Sequence, residues 1–384
     1  MGSPGPKGFH GCTTSLGIKD SAPDFTAIVS EVPATASAVF TRSRFAGPSV
    51  LLSRETAATG TAAGVVVIAR NANVATGPEG LANAREVRQL VAGPGGLDPE
   101  QLLIASTGVI GRQYPMDRIR AGLGVLSWPF PEADFAASAG AIMTTDTVSK
   151  LVTLPCGPAT ITGIAKGVGM IEPNMATLLT FFFTDAELDH PTLDRIFRKV
   201  VDRTFNALSV DTDTSTSDTA AIMANGLAGP VDLEEFERVL YQVALSLVRS
   251  IAADGEGASK LIEVRVLGAR DDAQAKRVAK SIVNSPLVKT AVHGADPNWG
   301  RVAMAIGKCE DELDIDPTKV VIKFGDVETY PAPSTDQVLA AAAEHMRAAE
   351  VVITAELGIA DGSFTVYGCD LTDGYIRINA DYTT

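Results

Sequence analysis

Apolar and polar residues fall into well-separated blocks along the chain. GVVVIAR (64–70) is continuous in β-branched residues and predicts a buried strand. QLLIASTGVIG (101–111) predicts a strand that closes in a small-residue turn, and LVTL (151–154) with ATITGIAK (159–166) a strand pair. LANAREVRQLVA (81–92), RIRAGLGVL (118–126) and DFAASAGAIM (134–143) predict helices. The helices then lengthen. Leu193, Ile196, Phe197, Val200, Val201 and Leu208 share one helical face, with Asp189 and Pro191 as the start signal. Leu233, Phe236, Leu240, Val243, Leu247 and Ile251 share another.

LIEVRVLG (261–268) and KVVIKFG (319–325) predict strands, and Ser334 with Gln337 has capping-box spacing ahead of VLAAAAEHM (338–346). EVVITAEL (350–357), SFTVYGCD (363–370) and GYIRINADY (374–382) make the end strand-rich. This mixture predicts a fold of the α/β (α+β) class, with sheets covered by helices. YPAPSTD (330–336) is a loop too short to separate domains.

Composition narrows the function classes. The 384 residues carry a net charge of -14, which disfavours nucleic acid and anionic membrane surfaces as partners. No apolar run reaches the roughly 18 residues of a membrane span. MGSPGPKGFHG at the start lacks a charged-then-apolar signal, so the expected localisation is cytoplasmic. Cys12, Cys156, Cys309 and Cys369 form no CxxC pair and read as reduced, mostly buried thiols. His10, His190, His293 and His345 are equally scattered, so no metal site is expected.

The candidate chemistry centres on KGVGMIEPNMATLLTFFFTDA (166–186), where a glycine-rich turn meets a dense apolar run. Thr177 stands at the junction. Thr is a common strand former, and residue type alone favours that reading. The sharper alternative makes its hydroxyl a nucleophile, which needs a base. If the Ala176–Thr177 bond is cut, the new α-amine, with an ordinary pKa of about 7.7–8.0, supplies one. The same hydroxyl can make the cut by attacking the Ala176 carbonyl, with water then releasing the ester. Gly167 and Gly169 upstream permit strained backbone angles.

KGVGMIEPNMATLLTFF closely resembles the autocleavage segment of the ornithine acetyltransferase (glutamate N-acetyltransferase) family. The resemblance continues in LIASTGVIGRQYPM, AIMTTDT, DTDTSTSDTAAIMANG, DGEGASKLIEV, VHGADPNWGRVAMAIG and RINADYTT, in that order. It implies a helix-flanked double β-sheet sandwich layered like N-terminal-nucleophile hydrolases. It also implies cleavage at Ala176/Thr177 into fragments 1–176 and 177–384 that share one core, with two such pairs associating. Thr177 matches the nucleophile, and Thr107 and Gly108 the oxyanion-hole pair. Thr144, Lys166, Thr177, Glu256, Asn379 and Thr384 match substrate contacts, with Thr145 an alternative to Thr144. By residue type alone, Thr107–Gly108 reads as a strand-ending turn, and Lys166 and Glu256 as solvated charges.

The implied reaction moves acetyl from N2-acetylornithine to glutamate through an acetyl-enzyme. No cofactor is required, and acetyl-CoA is an alternative donor. RNANVATG (70–77) and Glu172 depart from the wording of arginine-pathway members and look closer to the paralogue found with clavulanic acid genes. An N-terminal-Thr amidase or aminopeptidase, with water as acceptor, is the rival enzyme, and a non-catalytic binding protein the rival outside catalysis. Asp211–Thr219 and GADPNWGR (294–301) read as structural loops.

Overall fold

The computed structural model describes residues 5–18, 21–172 and 178–381, so Ala176, Thr177 and Thr384 lie outside the described residues. The fold is mixed α/β with two sheets. The chain divides into two compact units: 1–167, 173–206 and 214–247 in the first, 168–172, 207–213 and 248–384 in the second. Each unit therefore takes residues from both sides of the 176/177 bond.

In the first unit the strands are β1 (Phe9–Thr14), β2 (Phe25–Phe40), β3 (Thr61–Ile68), β4 (Leu102–Ser106), β5 (Lys150–Cys156), β6 (Ala159–Lys166), β7 (Leu179–Glu187) and β8 (Thr219–Pro230). They pair in the order β4-β3-β2-β8-β7-β6-β5, with β1 added alongside β2. The helices α1 (Pro48–Ala57), α2 (Gly77–Ala92), α3 (Met116–Leu123), α4 (Phe135–Ala141) and α5 (His190–Arg203) belong to this unit, and α6 (Leu233–Ala253) begins in it.

Sequence explains the sheet's centre. β7 carries LTFFFTDAE, and every residue but the last is buried. Phe181 and Phe183 point with Phe9, Ile28, Val65 and Ile164 into one apolar cluster. Phe182, on the opposite face by strand alternation, packs edge-on against Phe197 and Phe205. Asp189 caps α5 by accepting from Thr192 N at 2.8 Å, with Pro191 in its first turn, as the sequence predicts.

The second unit holds β9 (Leu261–Ala269), β10 (Val321–Phe324), β11 (Val327–Tyr330), β12 (Glu350–Glu356) and β13 (Gly362–Cys369), in the order β11-β10-β12-β9-β13. Its helices are α7 (Asp272–Val283), α8 (Pro286–His293), α9 (Trp299–Gly307), α10 (Asp336–Met346) and α11 (Asp373–Asp381). The central pair β9 and β12 runs parallel, and both are rich in buried Val and Ile.

Three local expectations fail. Leu208 does not continue the face of α5, which ends at Arg203 before a 3-10 turn over Phe205–Ala207. Residues 374–382 alternate like a strand, yet 373–381 form α11. Ile376 and Ile378, which carry the alternation, are both exposed, so no buried face rewards extended pairing. Arg377 instead pairs with Asp373 at 2.8 Å, one helical turn away. At α10 the cap is Thr335, which accepts from Val338 N. Ser334 is engaged elsewhere: its hydroxyl accepts from Trp299 Nε1 at 2.9 Å. All four cysteines are free thiols, and Cys156 and Cys369 are buried.

Phe183 is fully buried, with Phe9 at 5.3 Å and Phe135 at 5.2 Å between ring centroids. Phe183→Ala should therefore cost about 3–5 kcal/mol, read as a lowered urea midpoint at unchanged slope. A loss below about 1 kcal/mol would contradict the packing described.

Candidate functional site

One row of backbone pairing organises the candidate residues of the first unit. Lys166 lies opposite Leu179, Leu179 opposite Thr219, and Thr219 opposite Phe40. The row thus crosses β6, β7, β8 and β2. Beyond it stand Gly167, Leu178, Asp218 and Thr41. Thr219 N donates to Leu178 O at 2.9 Å, and Thr41 N donates to Asp218 O at 3.0 Å. Leu178, the residue that follows Thr177, is buried and hydrogen-bonded into the sheet.

Lys166 closes β6, and its Nζ donates to Thr144 Oγ1 at 3.2 Å. The structure thus joins two of the expected substrate contacts, Lys166 and Thr144. Asp146, which the sequence reading passed over, sets their positions. Its Oδ2 accepts from Thr144 N at 3.1 Å, and its Oδ1 accepts from Gly167 N and Lys150 Nζ, both at 2.8 Å. Asp146 and Lys150 are buried. Burial alone would raise the Asp146 carboxyl, but the charges of Lys166 and Lys150, together with the hydrogen bonds from Gly167 N and Lys150 Nζ, hold the group below its ordinary range.

Thr107 and Gly108 follow β4. Thr107 N donates to Ile68 O at 3.1 Å, so the Thr107 hydroxyl and the Gly108 N–H are the donors this turn can present. Gly108 has φ +131°, and a Cβ there would stand 2.2 Å from the Arg70 carbonyl carbon, so only glycine fits. Asn71 bridges both Thr107 and Val109.

The loop containing Asn71 is itself strained. Arg70, Asn73 and Ala75 have φ of 72°, 51° and 58°. Side chains hold it: Asn71 Oδ1 accepts from Asn73 N at 2.8 Å, Asn71 Nδ2 donates to Gln113 O at 3.0 Å, and Asn73 Nδ2 donates to Gly80 O at 2.8 Å. Gly47 N donates to Thr216 O at 3.1 Å, and Ala72 N to Val109 O at 3.1 Å. The two Asn residues, separated by one residue after a buried strand, were the available signal for this loop.

In the second unit Glu256 and Asn379 meet. Asn379 Nδ2 donates to Glu256 Oε2 at 2.8 Å and to Tyr375 O at 3.1 Å. Glu256 N donates to Val168 O at 2.8 Å. A Cβ on Gly169 would lie 2.4 Å from Glu256 Oε2, so glycine there admits the carboxylate. The expected backbone strain falls on Gly167 (φ +145°) and Met170 (φ 54°), and Gly169 is needed for space.

Asp211 clasps the same segment, accepting from Met170 N at 2.7 Å and Ile171 N at 2.8 Å. The Tyr375 hydroxyl donates to Asp211 Oδ2 at 3.4 Å, and burial, with the charges of Asp211 and Glu256, pushes that phenol up. Glu172 accepts from Asn284 Nδ2 at 2.6 Å and Ser209 Oγ at 3.2 Å. Lys280 donates to Leu208 O at 2.6 Å. Burial lowers its ammonium to about 8, although Glu172 opposes this.

The first unit therefore offers a glycine-dependent turn with hydroxyl and N–H donors and a lysine ammonium beside a threonine hydroxyl, and the second unit a carboxylate beside a carboxamide. Among the described residues, no group of three or more His, Cys, Asp or Glu residues could hold a metal ion, and no helix is long and apolar enough to cross a membrane.

The chain belongs to the ArgJ family, whose match covers residues 11–384. It is 65% identical over 385 residues to glutamate N-acetyltransferase Oat2 of Streptomyces clavuligerus, covering 99% of this chain and 98% of that one. It is 56% identical to the arginine biosynthesis bifunctional protein ArgJ of Rhodococcoides fascians, covering 100% and 96%. Among solved structures, ArgJ of Bacillus halodurans matches at 40% identity and a TM-score of 0.49, over 52% of this chain and 96% of that chain.

Asp146→Ala should leave the Lys150 ammonium buried without its carboxylate, at a cost of about 3–5 kcal/mol in chemical denaturation. Unchanged stability would contradict the pairing. Lys280 gives a pH test. Its folded pKa is about 8, below the unfolded value of about 10.4, so the unfolded chain binds more protons between them. Stability should rise with pH through that window in the parent protein, and this increment should vanish in Lys280→Met. Parallel pH profiles for the two proteins would refute it.

Proposed function

We propose that this protein is a glutamate N-acetyltransferase of the ornithine acetyltransferase type, which cuts its own chain before Thr177. The observation that carries the reading is the Lys166–Thr144 pair at the end of β6, in register with the strand that follows Thr177. In the first half-reaction, Thr177 Oγ attacks the acetyl carbonyl of N2-acetylornithine. The Thr177 α-amine takes the hydroxyl proton and passes it to the departing ornithine amine. The Thr107 hydroxyl and Gly108 N–H stabilise the tetrahedral oxyanion. Glutamate then attacks the threonyl ester and leaves as N-acetylglutamate.

Lys166 and Thr144 suit a substrate carboxylate, and Glu256 with Asn379 suits the side-chain ammonium of ornithine. Ala176 and Thr384 complete the cleavage site and the substrate contacts. The chemistry needs no cofactor, and acetyl-CoA is a second acetyl donor. The fragments 1–176 and 177–384 stay together because β7 and β8, from after the cut, pair with β6 and β2 from before it. Two such pairs form the assembly, in the cytoplasm. Neither curated relative reported above is named for hydrolysis, so transfer to glutamate is preferred to transfer to water. The donor and acceptor are the same for arginine supply and for a clavulanic acid cluster.

Incubation with N-acetylornithine and glutamate should yield N-acetylglutamate in excess of free acetate. Thr107→Ala should lower kcat by about 100-fold or more with the chain still folded, since one oxyanion donor is worth that much. Acetate as the main product would contradict the transferase reading, and an unchanged kcat the oxyanion assignment.

A further inference from the structure

The first unit holds a cavity of about 210 Å³ between α1, α2 and the turn Pro99–Gln101, which leads into β4. Glu55 and Thr56 of α1, Arg85 and Arg88 of α2, and Pro99 and Glu100 of the turn line it. Helical spacing brings them there. Arg85 and Arg88 stand three residues apart on one face of α2, as Leu52 and Glu55 do on α1. Two hydrogen bonds tie both helices to the turn. Thr56 Oγ1 donates to Glu100 O at 2.7 Å, and Arg88 Nε donates to Pro99 O at 2.5 Å.

Arg88 is the group that the packing leaves unanswered. It is 4% exposed, yet it forms no ion pair among the described residues, and only its Nε has a hydrogen-bond acceptor there. A guanidinium is a planar fork of five donors, and donors left without acceptors in a buried position are costly. The Nη1 and Nη2 donors are left to whatever fills the cavity. Burial lowers this guanidinium from its ordinary value and the Arg85 charge adds to that, against the charges of Glu100, Glu55 and Asp98.

We propose that this cavity binds a free α-amino acid, with the carboxylate on the Nη1/Nη2 fork of Arg88 and the ammonium toward Glu55 and Glu100. A carboxylate is the planar, two-oxygen acceptor that matches such a fork. The two arginines and two glutamates of the lining balance a zwitterion. A phosphate would face both glutamates, and a simple amine both arginines. Depth sets the orientation: Arg88 is buried, whereas Glu55 and Glu100 are exposed, so the carboxylate enters first and the ammonium stays at the rim. Buried Leu52 adds an apolar wall for the ligand's side chain. The cavity is smaller than the roughly 300–1,000 Å³ of drug-sized pockets, which suits a ligand of this size. It is separate from the residues assigned to acetyl transfer, because β4 places its five residues, roughly 17 Å of strand, between this cavity and Thr107.

Ligand-observed NMR on the full protein tests this with three probes: L-norvaline, pentanoate, which lacks its ammonium, and n-butylamine, which lacks its carboxylate. The parent should bind norvaline, and the other two about tenfold more weakly or less. Arg88→Met, still folded by circular dichroism, should bind norvaline about tenfold more weakly. Arg88→Lys should not restore binding, since a point charge lacks the fork. Glu55→Gln combined with Glu100→Gln, at two exposed positions, should erase the preference for norvaline over pentanoate.

Norvaline bound equally by the parent and Arg88→Met would lie elsewhere, the acetyl-transfer site included, and would overturn the proposal. A parent that does not bind norvaline, or that binds pentanoate as tightly, would also overturn it. If Arg88→Met is insoluble, the double glutamine variant decides: loss of the preference supports the proposal, and a preference equal to the parent's overturns it.

Discussion

The pairing of β7 with β6 on one side and β8 on the other is the constraint from which the rest follows. It puts Lys166, Leu179 and Thr219 in one row and gives the Leu178 carbonyl a backbone partner. The strand is three consecutive phenylalanines deep in a packed core, so sliding it by one residue would move Phe181 and Phe183 to the opposite face. The large apolar term that favours folding thereby also fixes where the chain after residue 177 begins. Position is what a threonine nucleophile needs, since its chemistry depends on short, fixed distances to donors and acids.

Charge is handled differently in the two units. In the first, the Asp146–Lys150 pair is buried and holds the Thr144 N–H and the Gly167 N–H at one carboxylate. A buried pair of this kind contributes little net stability but is costly to break, which suits a role in holding geometry. In the second unit the Glu256–Asn379 contact is more exposed, and α11 carries Asn379 on a helix with no buried residues. That arrangement presents polar groups without demanding a core.

Much of the fold was legible in the chain. The phenylalanine run, the faces of α5 and α6, and the β-branched strands announced themselves because burial imposes period and composition. The C-terminal helix did not, because an alternation of Ile, Arg and Ile looks like a strand until its isoleucines prove exposed. Thr335 was passed over as a cap because the adjacent Ser334 fitted the same spacing, and only the structure shows Ser334 engaged by Trp299. Of the candidate site, Thr144 with Lys166 and Glu256 with Asn379 were named before their contacts were visible, through motif resemblance rather than periodicity. Asp146 was not, since an aspartate in a hydroxyl-rich stretch reads as a solvated turn until burial is known. The strained 70–76 loop was half legible: Asn71 and Asn73 mark a loop, but positive φ at Arg70 and Ala75 leaves no mark on residue type.

The central claim is that one threonine both severs the chain and then carries the acetyl group. Denaturing mass spectrometry of the protein quenched after brief exposure to N-acetylornithine tests this most directly. The account predicts two fragments, 1–176 and 177–384, with a single acetyl group on the first residue of the larger one and none on Thr177→Ala. An acetyl group on any other side chain, or rapid acetyl transfer by a chain that remains whole, would contradict it.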